Sequence, residues 1–225
     1  LPISPLRALR TLREISFSRP IRWLMAVFGE ALVPFEYAGL ASAKATRGLR
    51  FVKPESFTVD SPEDYFGFLE QQGIILDVEN RKNVIRDQVK AAMQKVGADI
   101  SKFDEGLLDE VTMLVEAPTA FTGTFDPEHL ALPSEVLISV MKKHQRYLPV
   151  LDSRGRIMAH FITVRNGSNE KLELVRQGNE DVIRARYADA EYFYNQDCRK
   201  PLGAYVDNLD TLTFQTELGS MLDKT

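Results

Sequence analysis

The chain has 225 residues, 44% of them apolar and 27% charged, the make-up of a folded globular protein with one large domain or two small ones. The longest apolar runs, such as Ile21–Phe28 with Arg22 inside it, fall short of the ~18 residues that a membrane span needs. One cysteine, Cys198, excludes an internal disulfide and a Cys-rich zinc site and suits a reducing compartment. The formal net charge of −4 argues against a generic affinity for nucleic acid. The charge is unevenly spread, however. Residues 1–53 hold nine Lys/Arg against three Glu, a balance of +6, and residues 54–225 hold nineteen against twenty-nine, a balance of −10. A basic head on an acidic body permits a local anion-binding face, and equally a plain solvated surface. The chain opens on Leu1-Pro2 without a signal-peptide pattern and stops at Thr225 without a closing feature, so it reads as a piece of a longer polypeptide.

Residues 1–16 place Leu6, Leu9 and Leu12 three apart, which predicts a short basic helix. In residues 17–37 Gly29-Glu30 lies between two β-rich apolar runs, the pattern of a hairpin. The small, basic stretch 38–53 reads as a loop with a short strand near Leu49–Val52. Ser61-Pro62-Glu63-Asp64 starts a helix that buries Tyr65, Phe66, Phe68 and Leu69 and stops at Gly73. Ile74–Leu76 reads as a short strand. Asp77 caps a second helix with Val78, Val84, Ile85, Val89, Ala92 and Val96 at helical spacing, ended by Gly97.

Asp104–Val111 predicts a further short helix, and Met113–Val115 and Phe121–Phe125 predict strands around Pro118. Behind Pro133, Leu137, Val140, Met141 and His144 fall at i, i+3, i+4 and i+7 of a helix over 134–144. Tyr147–Leu151, a turn at 152–156 and Ile157–Val164 form the clearest hairpin. A long helix over 170–194 carries two apolar stripes: Val182, Ala185, Ala188 and Tyr192, and Ile183, Tyr187, Ala190 and Tyr194. Pro201 breaks the chain before a final helical segment. Strands, helices, strands and a long helix without βαβ alternation make an α+β fold, a mixed or antiparallel sheet packed with helices. Its core is expected from the Ile21–Phe28 run, the Ile157–Val164 strand and both stripes of the long helix.

No phosphate-binding G-x-x-x-x-G-K-[ST] loop, no G-x-G-x-x-G opening a helix and no G-x-S-x-G elbow occurs. His129, His144 and His160 stand fifteen and sixteen residues apart, without the i, i+4 pairing that zinc helices use, and no metal ligands or catalytic residues are assigned. The adjacent carboxylates Asp104-Glu105 and Asp109-Glu110 suit helix surfaces and termini. Cys198 beside Arg199 and Lys200 has no histidine near it in sequence. The positive candidates are cations. Arg19 and Arg22 flank Ile21 and Trp23, a mixture that suits an RNA-facing edge or a core strand with Trp23 buried. Lys142, Lys143 and Arg146 close the helix at 134–144, where cations also complement the helix dipole. Arg184, four residues after Glu180, suits a salt bridge.

Several runs together resemble one family: FSRPIRWLMAVFG (17–29), VPFEYAGL (33–40), TRGLRF (46–51), residues 107–150 ending in HQRYLPV, GNEDVIRARYADAEYFYNQD (178–197) and LGSMLDKT (218–225). They resemble the β subunit of bacterial-type glycyl-tRNA synthetase, in the family's order and over nearly the whole chain, with HQRYLPV and GNEDVIRARYADA the most specific. One departure is Leu49 in TRGLRF, where the family pattern often carries His.

The resemblance implies a fold related to the editing-type module of the phenylalanyl-tRNA synthetase β subunit, with residues 1–217 as one domain, 55–105 loosely attached to it, and 218–225 opening an HD-like domain. It implies an α2β2 ligase that makes glycyl-tRNA, AMP and diphosphate from ATP, glycine and tRNA(Gly). ATP, with Mg, and glycine then belong to the α subunit, and this segment needs no cofactor. The implied partners are the α subunit, tRNA(Gly) and a second β subunit, with no membrane, in the cytoplasm or alternatively a plastid. For this segment itself the leading reading is a structural, tRNA-facing part with Lys142, Lys143, Arg146, Arg19 and Arg22 as RNA contacts. The alternatives are a remnant aminoacyl-tRNA editing domain and a pure scaffold for the α subunit and distal tRNA-binding domains.

Overall fold

The computed structural model describes residues 20–50, 52 and 56–225, and the chain divides into two compact units, Leu1–Leu76 and Asp77–Thr225. The helix expected over 1–16 and the candidate Arg19 lie outside the described residues. The boundary between the units falls inside the 55–105 stretch.

In the first unit the strands are short. β1 (Leu24–Met25), β5 (Leu40–Ala43) and β4 (Glu36–Tyr37) form a sheet in the order β1-β5-β4, parallel between β1 and β5 and antiparallel between β5 and β4. β2 (Val27–Phe28) and β3 (Ala31–Leu32) make the expected hairpin around Gly29, whose φ of +58° is the left-handed conformation that glycine adopts without strain. Ser42 Oγ accepts from Phe35 N–H at 3.0 Å and donates to the Val33 carbonyl at 2.7 Å, fastening the segment before β4 onto β5.

The 38–53 stretch differs from its reading. Its strands are β5 and β6 (Ala45–Thr46), the latter paired with β7 (Phe57–Thr58). Leu49 and Val52 lie in bends. The small side chains of Ala41, Ser42 and Ala43, which look loop-like in the sequence, suit a strand with a neighbour on each side.

A further correction concerns the Ile21–Phe28 run. None of its residues is buried, Trp23 is 41% exposed and Phe28 82%. Strands two residues long cannot cover both sides of such a run, so it supplies no core.

Helix α1 (Pro62–Gln71) begins on a reciprocal cap: Asp64 N–H donates to Ser61 Oγ, and Ser61 N–H donates to Asp64 Oδ2. Phe68 and Leu69 are buried, and Phe68 stacks on Phe57 with centroids 4.4 Å apart. Tyr65 is half-buried, whereas Phe66 faces outward at 58% exposure. Ile74–Leu76 forms no strand, because Ile74 N–H turns back to the Leu69 carbonyl at 2.9 Å and closes the helix end.

The second unit is built on a three-stranded antiparallel sheet of order β8-β10-β9: β8 (Pro118–Thr124), β9 (Leu148–Leu151) and β10 (Ile157–Asn166). Helix α2 (Val78–Lys95), capped by Asp77, and helix α3 (Glu105–Leu114), capped by Asp104, pack with the sheet into one cluster that includes Ile85, Val89, Leu108, Val111, Val150 and Ile162. Helix α4 (Ser134–Ser139), a π turn (Val140–Gln145) and the long helix α5 (Leu172–Asp197) enclose a second cluster with Leu137, Met141, Tyr147, Phe161, Ile183 and Tyr187. Phe161 and Ile162 are successive residues of β10, both fully buried, one in each cluster. Side chains alternate across a strand, so this sheet is buried on both faces.

Three expectations are corrected here. Helix α3 runs through Leu114, so Met113–Val115 is no strand, and Met113 and Leu114 stay exposed. The helix at 134–144 changes to π winding at Val140, whose wider turn carries His144 off the buried side into solvent. Of the two stripes on α5, Ile183 and Tyr187 are buried, with Ala190 half-buried and Tyr194 exposed; Val182, Ala185, Ala188 and Tyr192 all face solvent. Beyond α5 come a 3₁₀ segment (Leu202–Thr211), the pair β11 (Thr213–Gln215) and β12 (Gly219–Ser220), and the short α6 (Met221–Lys224) with its own cap from Ser220.

Candidate nucleic-acid interface

The helix-closing cations are positioned by the π turn. It ends at Arg146, whose φ of +55° reverses the chain into β9 while Tyr147 N–H bonds the Met141 carbonyl at 3.0 Å. Within that turn Lys142 donates to Asp104 Oδ2. Arg146 places Nε 3.3 Å from Glu110 Oε2 and donates through Nη1 to the Lys143 carbonyl. Lys143 is exposed, with no carboxylate partner among the described residues. Two of the three cations are therefore paired with carboxylates of α3 and its cap, in ion pairs that stay partly exposed.

Helix α3 neutralises cations on its other flank as well. Lys82 pairs with Asp109, and Arg86 forms a two-point contact with Glu105, Nε to Oε1 at 3.3 Å and Nη2 to Oε2 at 3.0 Å. The carboxylates Asp104, Glu105, Asp109 and Glu110 are thus structural, as their place on a helix surface suggested. The Lys142 ammonium, aided by Leu107 N–H, holds the Asp104 carboxyl below the usual carboxylate range. The Asp109 carboxylate raises the Lys82 ammonium in the same way.

In the first unit Arg22 is exposed beside the exposed Trp23. The Arg47 guanidinium lies 5.6 Å from the Trp23 ring centroid, within cation–π range. Arg47, from the TRGLRF run, is a member of this surface that the linear reading did not single out. Its signal was a cation in a motif otherwise notable for glycine and leucine. Leu49 of the same run is buried at 8% exposure, so its side chain packs inward rather than facing a ligand.

The remaining candidates fall in place as follows. His129 packs on the Tyr187 ring, with Nδ1 3.5 Å from Glu191 Oε2. His160 is half-buried on β10 and His144 is exposed. Among the described residues no three of His, Cys, Asp and Glu gather into a metal-binding group. Cys198 is exposed at the end of α5, its backbone N–H donating to the Tyr194 carbonyl at 3.0 Å. Arg184 pairs with Asp181 at 2.8 Å, not with Glu180. The carboxylate of Glu180 is taken by Thr124, which donates its backbone N–H at 2.8 Å and its hydroxyl at 2.9 Å.

The two most specific motifs meet in the fold. Tyr147 of HQRYLPV donates to Asn179 of GNEDVIRARYADA at 2.6 Å, and Asn179 donates onward to the Val175 carbonyl. Tyr147 also stacks on Phe161, with centroids 4.5 Å apart and 13° between the planes.

A family model described as glycyl-tRNA synthetase beta subunit matches residues 9–225. The glycine–tRNA ligase beta subunits of Clostridioides difficile (strain 630), Moorella thermoacetica and Listeria monocytogenes serotype 4a are 45%, 45% and 42% identical to it, over 95%, 94% and 94% of this chain. The matched regions are 31%, 30% and 30% of those relatives, so the chain spans about a third of their length. These relatives are subunits of one class of enzyme, the aminoacyl-tRNA ligases. The chain belongs to the glycyl-tRNA synthetase beta subunit family. No helix among the described residues is long and apolar enough to cross a membrane.

Proposed function

We propose that this chain serves glycine–tRNA ligase, the enzyme that joins glycine to tRNA(Gly) at the expense of ATP, as a structural, tRNA-facing part without the adenylation site. In this reading ATP, with Mg, and glycine are held by an α subunit, and the assembly is α2β2 in the bacterial cytoplasm. Family membership supports the ligase. The fold's kinship with the editing-type module of the phenylalanyl-tRNA synthetase β subunit is part of the same proposal, supported by the mixed α+β architecture.

The observation that carries the tRNA-facing role is the exposed set Arg22, Trp23 and Arg47. Arginine planes and an open indole ring are what unstacked RNA bases and phosphates engage. The second reading, a scaffold for the other parts of the ligase, is favoured by the internal pairing of Lys142 and Arg146. Filter binding of the chain to tRNA separates the two. Salt-sensitive retention is expected, and no retention at low salt leaves the scaffold. Parallel assays of glycine-dependent pyrophosphate exchange and of deacylation of mischarged tRNA are expected to give no activity. Turnover in the first would overturn the assignment of adenylation to the α subunit, and turnover in the second would establish the editing alternative.

A further inference from the structure

Trp23 is the only tryptophan in the chain, and it stands 41% exposed directly before β1. Parallel pairing sets β1 beside β5, with Leu24 opposite Ser42 and Met25 opposite Ala43. After a bend at Lys44 the chain runs through β6 and brings the Arg47 guanidinium over the Trp23 ring, 5.6 Å from its centroid. The backbone that carries Arg47 is held on both sides. Thr46 is buried and pairs with Phe57 of β7, whose ring stacks on Phe68, and Leu49 is buried as well. Arg47 itself is exposed, and among the described residues neither it nor Arg22 forms an ion pair with a carboxylate.

Groups in direct contact lie about 3.5–4 Å apart. At 5.6 Å the guanidinium stands off the indole, and a planar group between the two needs about 7 Å, twice the contact distance. A long exposed side chain such as Arg47 supplies the remaining ~1.5 Å by a change of rotamer. Indole rings and guanidinium planes are both surfaces on which nucleobases stack. Inside duplex RNA each base face is covered by its neighbours, so only an unpaired base fits such a gap. Arg22, exposed next to Trp23, adds a cation for a phosphate of the same strand.

Resting on the tRNA-facing reading, we propose that the gap between Trp23 and Arg47 takes one unpaired nucleotide of the RNA. Its base stacks between the indole and the guanidinium, and Arg22 meets a neighbouring phosphate. The segment this surface receives is therefore a single strand and not a helical arm.

The lone tryptophan makes the test direct. Trp23 emission of the full chain is titrated at low salt with a short oligoadenylate, with the same backbone lacking bases, and with a long RNA duplex. Affinities are read from the anisotropy of labelled RNA. The oligoadenylate is expected to quench the emission saturably, and the duplex to leave it unchanged. The abasic strand should not quench and should bind about 5- to 100-fold more weakly, the share that one stacked base supplies. Trp23→Ala should weaken the oligoadenylate by a similar factor and spare the abasic strand. Arg47→Lys keeps the charge and loses the plane, so it should weaken the oligoadenylate about two- to fivefold with the salt slope unchanged. Thermal melts show whether each variant is folded, and Arg47→Lys decides the matter should Trp23→Ala fail to fold. The proposal is overturned by an unchanged emission with the oligoadenylate, by equal quenching with the duplex, or by parental affinity in Arg47→Lys. Equal binding of the abasic strand overturns the base site and leaves a phosphate-borne tRNA contact standing. Failure of tRNA and of all three probes to bind removes the tRNA-facing reading with it.

Discussion

Tyr147 donates its phenol to Asn179 Oδ1 at 2.6 Å, a bond between residues 32 apart in sequence. It joins the start of β9 to the second turn of α5 and brings together the two motifs that most distinguish this chain. Around it Phe161, Ile183 and Tyr187 are fully buried. The motifs therefore form a packing joint.

Tyr147→Phe keeps the ring stack on Phe161 and removes the hydrogen bond, so it should lower stability by about 0.5–1.5 kcal/mol. Burial pushes the Tyr147 phenol up to about 12. With the folded value above the ordinary tyrosine value of about 10, the phenol's contribution is complete below pH ~10 and is lost as pH rises toward 12. Urea melts at pH 9 and pH 11 should show a smaller loss of stability on raising pH for Tyr147→Phe than for the parent chain.

The two stripes of α5 should respond differently to truncation. Ile183→Ala opens a cavity in a fully buried site and should cost about 2–5 kcal/mol. Val182→Ala, at a position 40% exposed, should change stability by less than about 0.5 kcal/mol. Equal shifts in Tm would contradict the burial of one stripe alone.

Gly123 lies in β8 opposite Phe161 on β10, and a Cβ at position 123 would collide with the Phe161 ring. That ring is fully buried and stacked on Tyr147, so it has no room to yield. Gly123→Ala should destabilise by about 1–3 kcal/mol, measured by chemical denaturation. A neutral or stabilising result would mean that the ring pair moves freely.

Asp104 combines a cap for α3 with the Lys142 ion pair. Its depressed carboxyl contributes stability above the unfolded value of about 3.9, and this is lost as pH falls through the lower folded value. Asp104→Asn retains a capping oxygen, and should flatten the stability–pH curve below pH ~4. Thermal melts from pH 5 to pH 2 on both chains measure it.

For RNA binding, the exposed and the paired cations should separate. Arg22→Ala and Arg47→Ala are each expected to reduce the salt slope of tRNA affinity by about one unit, across different tRNAs alike. Lys142→Ala and Arg146→Ala should leave the slope unchanged and reduce stability by no more than about 1 kcal/mol, as partly exposed ion pairs do. A salt titration of binding in the whole ligase assembly tests both halves, and a flattened slope for Lys142→Ala would show that its pair with Asp104 opens to receive phosphate.

What the sequence by itself determined is the set of features written in neighbouring residues. Ser61, Asp77 and Asp104 cap their helices because an oxygen at the N-cap meets an N–H three residues on. Gly29 turns its hairpin because no Cβ opposes a positive φ, and the alternating residues of 147–164 pair across a five-residue turn. The family was legible in the same local runs. Only the tertiary structure decided which side of an element is inside and which charges are free. The stripes of α5 are alike in composition, and Phe161 with Leu137 selects one. Lys142 and Arg146 have no carboxylate in their own run, and the fold brings Asp104 and Glu110 to them. Trp23 looks like a core residue until the strand after it, β1, proves two residues long and leaves it outside. Burial and ion pairing depend on partners tens of residues away, and a linear pattern does not carry that distance.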